Sequence, residues 1–268
     1  MKIVRFKEKK GRKYWGAIEN NKILKINKSP YKKIVKDKRK YYNLDEIEIL
    51  PPSTPTKIIG LGLCFKDSYP SGEYPDEPII FLKGTNALIG HNQKILYPNS
   101  IEFAWMEAEL AIVIKKTCKS VSPKKAIDYI LGYTIANDIT AQNIRGLDHH
   151  LARSKSCDTF CPVGPHLETN LDTSDIDFSS WLNGKKIQHA NTKDRIFTDS
   201  EILSIVSDLI TLYPGDIILT GTHPGFPPGN IMEKGIIKKG DKIKIKFEGI
   251  GTLKNEVVSD NYKREEKI

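Results

Sequence analysis

Long apolar segments are absent from this sequence. None of its apolar runs approaches the ~20 residues that a membrane-spanning helix needs. The N-terminal stretch, Met1 to Lys7, also lacks the apolar core of a secretory signal peptide. We therefore predict a cytoplasmic protein that has no membrane partner.

Cysteine is scarce as well. The four cysteines form no Cys-x-x-Cys pair and have no histidine at zinc-finger spacing, which argues against a disulfide scaffold and a zinc finger. Apolar residues make up 39% and charged residues 28% of the 268 residues, as is typical of a globular protein. A chain of this length buries a core without covalent staples.

Acidic residues are scarce only near the N-terminus. Residues 1–40 hold 16 Lys and Arg against three acids, whereas the remaining 228 residues hold 26 basic and 30 acidic residues. A basic arm of this kind is able to bind nucleic acid. However, Lys outnumbers Arg 35 to 7, and sequence-specific readers use Arg for bidentate contacts. We therefore expect a solvated basic face and no nucleic-acid partner.

Short strands dominate the N-terminal pattern. Apolar alternation between turn residues predicts strands over 3–6, 14–18 and 22–26, and the charged segment 28–50 is predicted to be partly helical. The cluster from Pro51 to Pro55 is the clearest linker in the chain. This pattern predicts a small β domain at residues 1–55 and a second domain at residues 56–268.

The second domain is also rich in strands. Strands are predicted over 57–63, 78–83, 107–114, 133–138, 216–221, 241–247 and 251–258, with a loop over 65–78. Helices are predicted over 123–131, where Pro123 takes the first helical position, and over 199–212, where apolar residues recur at helical spacing. Few helices and no regular strand–helix alternation indicate an α+β, mainly β fold.

Two glutamates begin the predicted strand 107–114. Glu107 and Glu109 are two residues apart, so their side chains leave the strand on one face, directly before an apolar run. Neighbouring carboxylates beside a core repel each other unless a cation neutralises them, and a hard divalent ion with oxygen ligands suits that role. The alternative is a strand end whose two glutamates reach solvent.

Further polar groups follow at the ends of other strands. Asp138 ends an apolar strand, and three carboxylates with water or substrate oxygens complete an octahedral Mg²⁺ or Mn²⁺ shell. Lys155 offers a cation to a substrate oxyanion, and residues 220–225 offer hydroxyl and amide groups to a carboxylate. This last segment has no Walker lysine, so we expect no nucleotide P-loop.

These motifs, taken in order, resemble the fumarylacetoacetate hydrolase family. The resemblance covers residues 57–258, and its order along the chain carries it more than any single motif. The matching segments are 81–83, 107–110, 132–138, 155–160, 162–165, 182–184 with Gln188 and Thr192, 211–216, 220–222 and 249–251. The resemblance implies a mixed β-roll catalytic domain behind the small N-terminal β unit, a homodimer, and Mg²⁺ or Mn²⁺ as cofactor.

The resemblance also implies a site and a substrate class. The implied metal ligands are Glu107, Glu109 and Asp138. The candidate catalytic residues are Lys155, Thr222 and His223. The candidate substrate contacts are Thr222, Gly221, Gln142 and Lys83. Substrates of the family are 2-oxo or enol acids that chelate the metal, and their hydrolysis, decarboxylation, isomerisation and dehydration share an enolate.

The chain departs from the family at the water-activating base. Ser68 takes the position of the family's histidine, no glutamate follows at the family's spacing, and Pro70 interrupts the usual lid helix. Loss of this base favours isomerisation or tautomerisation, dehydration or decarboxylation over C–C hydrolysis. The alternatives are C–C hydrolysis with His223 as the base, and an inactive relative that acts as a binding protein. Asp67 is a further candidate base, but a carboxylate is ordinarily a weak one.

Overall fold

A computed structural model describes residues 1–26, 29–32, 34–142, 148–225 and 231–260 of the chain. Its strands in the N-terminal part are β1 (Lys2–Glu8), β2 (Lys13–Glu19), β3 (Lys22–Ile26), β4 (Lys36–Tyr42) and β5 (Ile47–Leu50). The strands that follow, up to the middle of the chain, are β6 (Ile58–Gly62), β7 (Ile79–Lys83), β8 (Leu88–Ile89), β9 (Lys94–Tyr97), β10 (Ala104–Trp105), β11 (Ala108–Ile114), β12 (Ile130–Asn137) and β13 (Thr140–Ala141).

The second half adds seven more strands to the described part. They are β14 (Cys161–Glu168), β15 (Asp177–Leu182), β16 (Lys185–Asn191), β17 (Ile217–Thr222), β18 (Ile236–Ile237), β19 (Lys242–Phe247) and β20 (Gly251–Ser259). The helices are α1 (Pro123–Ala126), α2 (Ala152–Lys155), α3 (Asp199–Leu209) and α4 (Ile231–Lys234). Strands therefore dominate, which confirms the predicted α+β, mainly β class.

A 12-stranded sheet forms the body of the molecule. Its main order is β4-β3-β2-β1-β14-β12-β11-β17-β6-β7, with β5 added beside β1 and β8 beside β14. A five-stranded sheet runs β16-β15-β19-β20-β9, and a three-stranded sheet runs β13-β10-β18. In the large sheet β11 lies between β12 and β17, antiparallel to both. The candidate site is built at the ends of these three central strands.

The central strands are apolar because both of their faces are covered. All seven residues of β11 and all eight of β12 are buried. An apolar run of this length, without polar alternation, is typical of a strand that is buried on two sides. Helix α3 packs on the same core through Ile202, Leu203 and Val206, which recur at helical spacing. The polar groups at the ends of these strands therefore sit on a rigid frame.

The N-terminal strands continue the large sheet. Strand β1 pairs with β14 through Lys2–Glu168 and Ile3–Leu167, and β2, β3 and β4 extend the sheet outward. Residue Ser53 in the linker is buried and donates a hydrogen bond to the carbonyl of Gly215, at 2.5 Å. The division at residue 55 stays a prediction.

Two elements differ from the sequence prediction. The charged segment 28–50 is not helical where it is described: it holds β4, β5 and one 3-10 turn, Leu44–Glu46. Tyr42 explains the strand, because its ring packs edge-on against Phe6 with ring centroids 4.8 Å apart. The helix predicted over 123–131 ends at Ala126, since a 3-10 turn and then β12 follow.

Candidate active site

A cavity of about 480 Å³ opens where β6 and β17 end and where β7 and β11 begin. Its polar lining consists of Asp67, Ser68, Glu107, Glu109, Lys155 and Thr222. The rest of the wall is mostly apolar and includes Leu61, Leu63, Ile79, Phe81, Ile231 and Met232. Leu63, Ile79 and Met232 are at least half exposed, so the mouth of the cavity is apolar.

Strand pairing brings three carboxylates together. Because β11 and β12 are antiparallel, the start of one meets the end of the other, and Ala108 faces Asn137. The Asp138 N–H donates to the carbonyl of Glu107 at 2.9 Å, which ties the two acidic residues at the backbone. Carboxylate oxygens of Glu107, Glu109 and Asp138 all lie within 4.8 Å of one another.

Two lysines hold this acidic cluster. Lys155 Nζ donates to Glu107 Oε2 at 2.8 Å and to Asp138 Oδ2 at 2.7 Å. Lys83 Nζ lies 2.6 Å from Asp138 Oδ1 and donates to the carbonyl of Ile139 at 3.1 Å. Both lysines are buried, and Lys155 also lines the cavity. Three negative charges thus face two positive ones.

Burial and charge move the pKa values in this cluster in different directions. Burial raises the pKa of Glu109 well above its ordinary value, and the neighbouring Asp138 and Glu107 charges raise it further. Burial would also raise the pKa of Asp138, but Lys155 and Lys83 outweigh it, so that pKa is lowered. Burial works against the Lys155 ammonium, yet Asp138 and Glu107 raise its pKa, so Lys155 stays charged.

Fixed donors orient the two glutamates. The Gly221 N–H donates to Glu109 Oε2 at 2.7 Å, and Gly221 has φ +89° in the left-handed region that favours glycine. A side chain at this position would approach Cys64 Cβ to 2.8 Å. Trp105 Nε1 donates to Glu107 Oε1 at 2.7 Å. The oxygens of Glu107 are therefore held from both sides, by Trp105 and by Lys155.

Gln188 connects the wall of the cavity to the strands behind it. Its Oε1 accepts from Ser180 Oγ at 2.8 Å and from the Ala108 N–H at 3.4 Å. Its Nε2 donates to Thr222 Oγ1 at 3.0 Å and to the carbonyl of His223 at 2.9 Å. Thr222 Oγ1 in turn donates to the carbonyl of Ala108 at 3.0 Å. The segment that carries Thr222 and His223 is thus fixed from two directions.

His223 lies next to the cavity but is not part of its lining. Its Nε2 is 3.1 Å from Asp67 Oδ2, and its Nδ1 accepts from the Gly225 N–H at 3.1 Å. The ring packs edge-on against Phe65, with centroids 5.5 Å apart. Asp67 does line the cavity, so this pair joins the lid segment after β6 to the segment after β17.

The predicted site residues fall into two groups. The metal candidates Glu107, Glu109 and Asp138 meet, and Lys155 and Thr222 line the same cavity. Lys83 lies behind Asp138 rather than in the cavity wall, and Gly221 donates to Glu109 rather than into the cavity. Gln142 is half-buried, donates its N–H to the carbonyl of Phe103, and does not line the cavity.

The sequence analysis did not assign Trp105 to the site, and it set Asp67 aside as a weak base. Asp67 stands directly before Ser68, the position that departs from the family pattern, and that neighbourhood was the available signal. Trp105 stands two residues before Glu107, so its indole lies on the same side of the extended chain.

The acidic cluster fits a hard divalent cation. All three groups are carboxylates, which are oxygen donors of the kind that Mg²⁺ and Mn²⁺ prefer. With all three groups ionised, the cluster carries one more negative charge than Lys83 and Lys155 neutralise. Burial raises the pKa of Glu109, and the Asp138 and Glu107 charges raise it further. A bound cation would remove the repulsion, as the charge pattern of the sequence suggested.

Comparison with known proteins agrees with this reading of the fold. Residues 57–258 match the family model described as fumarylacetoacetate (FAA) hydrolase C-terminal. The chain belongs to the fumarylacetoacetate hydrolase family. Residues 1–52 match a second model, described as Rv2993c-like, N-terminal. The family resemblance predicted from the ordered motifs is therefore confirmed.

The relatives of this chain include an uncharacterised protein and enzymes with named activities. An uncharacterised protein of Methanocaldococcus jannaschii is 40% identical over 93% of this chain and 96% of its own. A 2,4-didehydro-3-deoxy-L-rhamnonate hydrolase of a Sphingomonas species is 36% identical over 75% of this chain and 73% of its own. A mitochondrial oxaloacetate tautomerase of Bos taurus is 36% identical over 80% of this chain and 70% of its own.

Solved structures share the whole fold. A 5-carboxymethyl-2-hydroxymuconate delta-isomerase of Mycobacterium smegmatis superposes with a TM-score of 0.86 at 34% identity, over 97% of this chain and 100% of the other. A maleylpyruvate hydrolase of Sphingobium sp. SYK-6, in complex with manganese(II) and pyruvate, gives a TM-score of 0.75 at 25% identity over 97% and 99%. Named family members are thus isomerases, tautomerases and hydrolases.

No described helix of this chain is long and apolar enough to cross a membrane.

Proposed function

We propose that this protein is a divalent-metal-dependent enzyme that converts a 2-oxo or enol acid through an enolate. The net reaction is an isomerisation or tautomerisation, a dehydration or a decarboxylation. The observation that carries the proposal is the convergence of three carboxylates within 4.8 Å beside a buried, charged lysine at one cavity. The relatives that have isomerase and tautomerase activity support it.

In this proposal Glu107, Glu109 and Asp138 hold Mg²⁺ or Mn²⁺. When bound, the ion supplies Lewis acidity to a chelated 2-oxo acid. The all-oxygen donor set and the uncompensated negative charge support a hard cation. Trp105 and the Gly221 N–H orient the two glutamates, and Lys83 orients Asp138.

Lys155 and Thr222 act on the substrate. The Lys155 ammonium faces the cavity with its charge fixed, so it stabilises negative charge that develops on the C2 oxygen. Thr222 pairs with Glu109 across the strands and lines the cavity, which supports a contact with the substrate carboxylate. Gln188 keeps the Thr222 hydroxyl in place.

The reaction class follows from the lid. Hydrolysis of a C–C bond needs a positioned base that activates water, and Ser68, whose hydroxyl stays protonated near neutral pH, lines the cavity at the position of the family's histidine. Enolisation makes fewer demands, since it needs only a polarised 2-oxo acid and one group that carries a proton. C–C hydrolysis is the second candidate, and the hydrolases among the relatives favour it.

A panel assay tests this function. The enzyme with Mg²⁺ is incubated with an acylpyruvate, oxaloacetate and a 2-oxo-3-deoxy sugar acid, and the products are followed by NMR. We expect tautomerisation, dehydration or decarboxylation without release of pyruvate from the acylpyruvate. Efficient release of pyruvate would instead establish the hydrolase.

Metal binding is tested separately. If the carboxylates bind Mg²⁺, a concentration of 100 times Kd adds about 2.7 kcal/mol of stability. At about 2–4 °C per kcal/mol, thermal melting should shift upward by roughly 5–10 °C. No shift with millimolar Mg²⁺ or Mn²⁺ would favour an inactive relative that acts as a binding protein. We also propose a homodimer, which light scattering would detect as twice the mass of the chain.

A further inference from the structure

The histidine beside the cavity has both ring nitrogens engaged. A backbone N–H is only a donor, so the bond from Gly225 to Nδ1 requires that Nδ1 carry a lone pair. The proton of the neutral ring is then on Nε2, which donates to Asp67 Oδ2 at 3.1 Å. In this arrangement His223 has no lone pair left to receive a proton from a substrate or from water.

Asp67 differs from His223 in its exposure and in its hydrogen bonds. Its side chain is 43% exposed and lines the cavity, whereas the side chain of His223 is 7% exposed and does not. His223 occupies only Oδ2 of this carboxylate, and Oδ1 accepts no hydrogen bond from the residues that the structure describes. Asp67 therefore lines the space that the substrate would fill, and one of its carboxylate oxygens is engaged by no described residue.

The pair is rigidly supported. Asp67 lies in a 3-10 turn, Lys66–Ser68, whose ends are closed by hydrogen bonds from the Ser68 and Tyr69 N–H groups. The imidazole is packed against the buried ring of Phe65, and Gln188 holds the backbone carbonyl of His223. The hydrogen bond from the buried His223 thus fixes the orientation of the exposed Asp67 carboxylate.

We propose that Asp67 is the catalytic residue that moves the substrate proton, and that His223 is the positioning residue that aims it. This inference rests on the proposed function. The Asp67 carboxylate takes the proton from C3, the C3–H bond breaks, and its electron pair becomes the C2–C3 double bond of the enolate. The C2 oxygen then carries the negative charge beside Lys155. Transfer of the proton from Asp67 to the C2 oxygen gives the enol tautomer, and the reverse sequence returns the enol to the keto acid, so the tautomerisation needs no co-reactant.

The test measures proton exchange at C3. The full-length enzyme with Mg²⁺ is incubated in D₂O with 2-oxobutyrate, oxaloacetate and an acylpyruvate, and exchange above the enzyme-free rate is followed by NMR. Asp67→Asn should lower the saturated rate by about 100-fold or more with little change in KM, as is typical for the loss of a general base. Asp76→Asn makes the same chemical change at an exposed residue of the same loop and should leave the rate unchanged.

Two histidine variants separate positioning from proton transfer. His223→Gln keeps an N–H donor for Asp67 and should retain the rate within about tenfold, whereas His223→Leu should lose roughly 10–100-fold, because it removes that donor. If His223 were the base, the Gln and Leu variants would be equally inactive and Asp67→Asn would keep most of its rate. That result would overturn the assignment.

The remaining outcomes distinguish this inference from the proposed function. If the wild-type enzyme exchanges C3 protons and Asp67→Asn does so equally fast, the assignment of Asp67 is wrong and the proposed function stands. If the wild-type enzyme exchanges no C3 proton of any acid in the panel but still decarboxylates oxaloacetate, the assignment of Asp67 is wrong and the proposed function stands. If it shows neither C3 exchange nor any reaction of the panel assay, both fall together. Thermal melting of each variant with and without Mg²⁺ checks that the fold and the proposed metal site are intact.

Discussion

Substitution of Glu109 by glutamine should stabilise the metal-free protein while it destroys the proposed metal site. Glu109 is 1% exposed and lies beside two other carboxylates, so its negative charge is unfavourable in the absence of a cation. Glutamine has the same shape, and its carbonyl oxygen can still accept from the Gly221 N–H. The substitution therefore removes a charge without removing the hydrogen bond.

The magnitude follows from the separation of the carboxylates. At 4.8 Å and an effective dielectric constant near 20, each like-charge pair costs about 3.5 kcal/mol. Glu109 has two such partners, Glu107 and Asp138, and the attraction of Lys155 offsets roughly one of them. We expect a net gain of about 1–3 kcal/mol in the free energy of unfolding, or roughly 2–12 °C in Tm for a chain of this size.

Thermal melting at neutral pH measures both effects. The metal-free Glu109→Gln protein should melt above the wild type, and the shift caused by Mg²⁺ should disappear. Glu102→Gln, at an exposed position, should change the free energy of unfolding by less than about 0.5 kcal/mol. A metal-free Glu109→Gln protein that melts well below the wild type would show that Glu109 is not under charge repulsion, and would refute this account of the site.

The opposite change, Lys155→Met, removes the cation that Glu107 and Asp138 share. It should destabilise the metal-free protein by about 3–5 kcal/mol. In melting experiments, Mg²⁺ should raise the Tm of this variant more than it raises the Tm of the wild type. Burial lowers the pKa of His166 to about 4, so the unfolded chain binds its proton more readily between pH 6.5 and 4. The free energy of unfolding should fall by roughly 2–3 kcal/mol as the pH drops through that window. Denaturant unfolding at each pH should show a smaller fall for His166→Gln than for the wild type. Lys155 is the one cation among the described residues that line the cavity. A 2-oxo acid with a neutral apolar tail should therefore bind at least about tenfold more tightly than one with a terminal carboxylate. Competition binding between the two acids measures this difference.

Much of the fold is predictable from the sequence because its core strands are unusually regular. The alternation of Lys and Ile over 242–246 places Ile243 and Ile245 in the core, where both are buried. Strand β14 escaped prediction, since Pro162 and Pro165 are residues that strands usually exclude. The prediction of helix in the segment 28–50 was wrong. The charged residues of β4 give no apolar alternation that would have indicated its pairing with β3.

The hairpin of β15 and β16 was also missed, although its signal is local. Asn183 and Gly184 both have positive φ, as the two central residues of a tight hairpin turn require. The flanking residues Trp181 and Lys186 pair across the turn. An Asn-Gly pair between strand-like segments is a usable signal that the sequence contains.

The candidate site was also only partly predictable from the sequence. The spacing of Glu107 and Glu109 is a local property of one strand, so their shared face was predictable. The strand that ends at Asp138 suggested the third carboxylate and Lys155 a cation, and the family resemblance then implied that all four belong to one site. The contact between Asp67 and His223 joins residues 156 positions apart. Neither residue has a periodic or spacing signal, so only the folded chain reveals which of the two faces the cavity.

The choice of a carboxylate as the proton carrier limits the chemistry. A carboxylate is generally a weaker base than an imidazole, so it removes a proton only when the resulting carbanion is strongly stabilised. The proposed metal site beside Lys155 would provide such stabilisation, because Lys155, Glu107 and Glu109 line the cavity and Asp138 lies within reach of the two glutamates. Substrates whose C3 protons are already acidic, such as those of an acylpyruvate or oxaloacetate, should therefore react faster than simple 2-oxo acids. An enzyme that exchanged 2-oxobutyrate as fast as oxaloacetate would need a stronger base than Asp67.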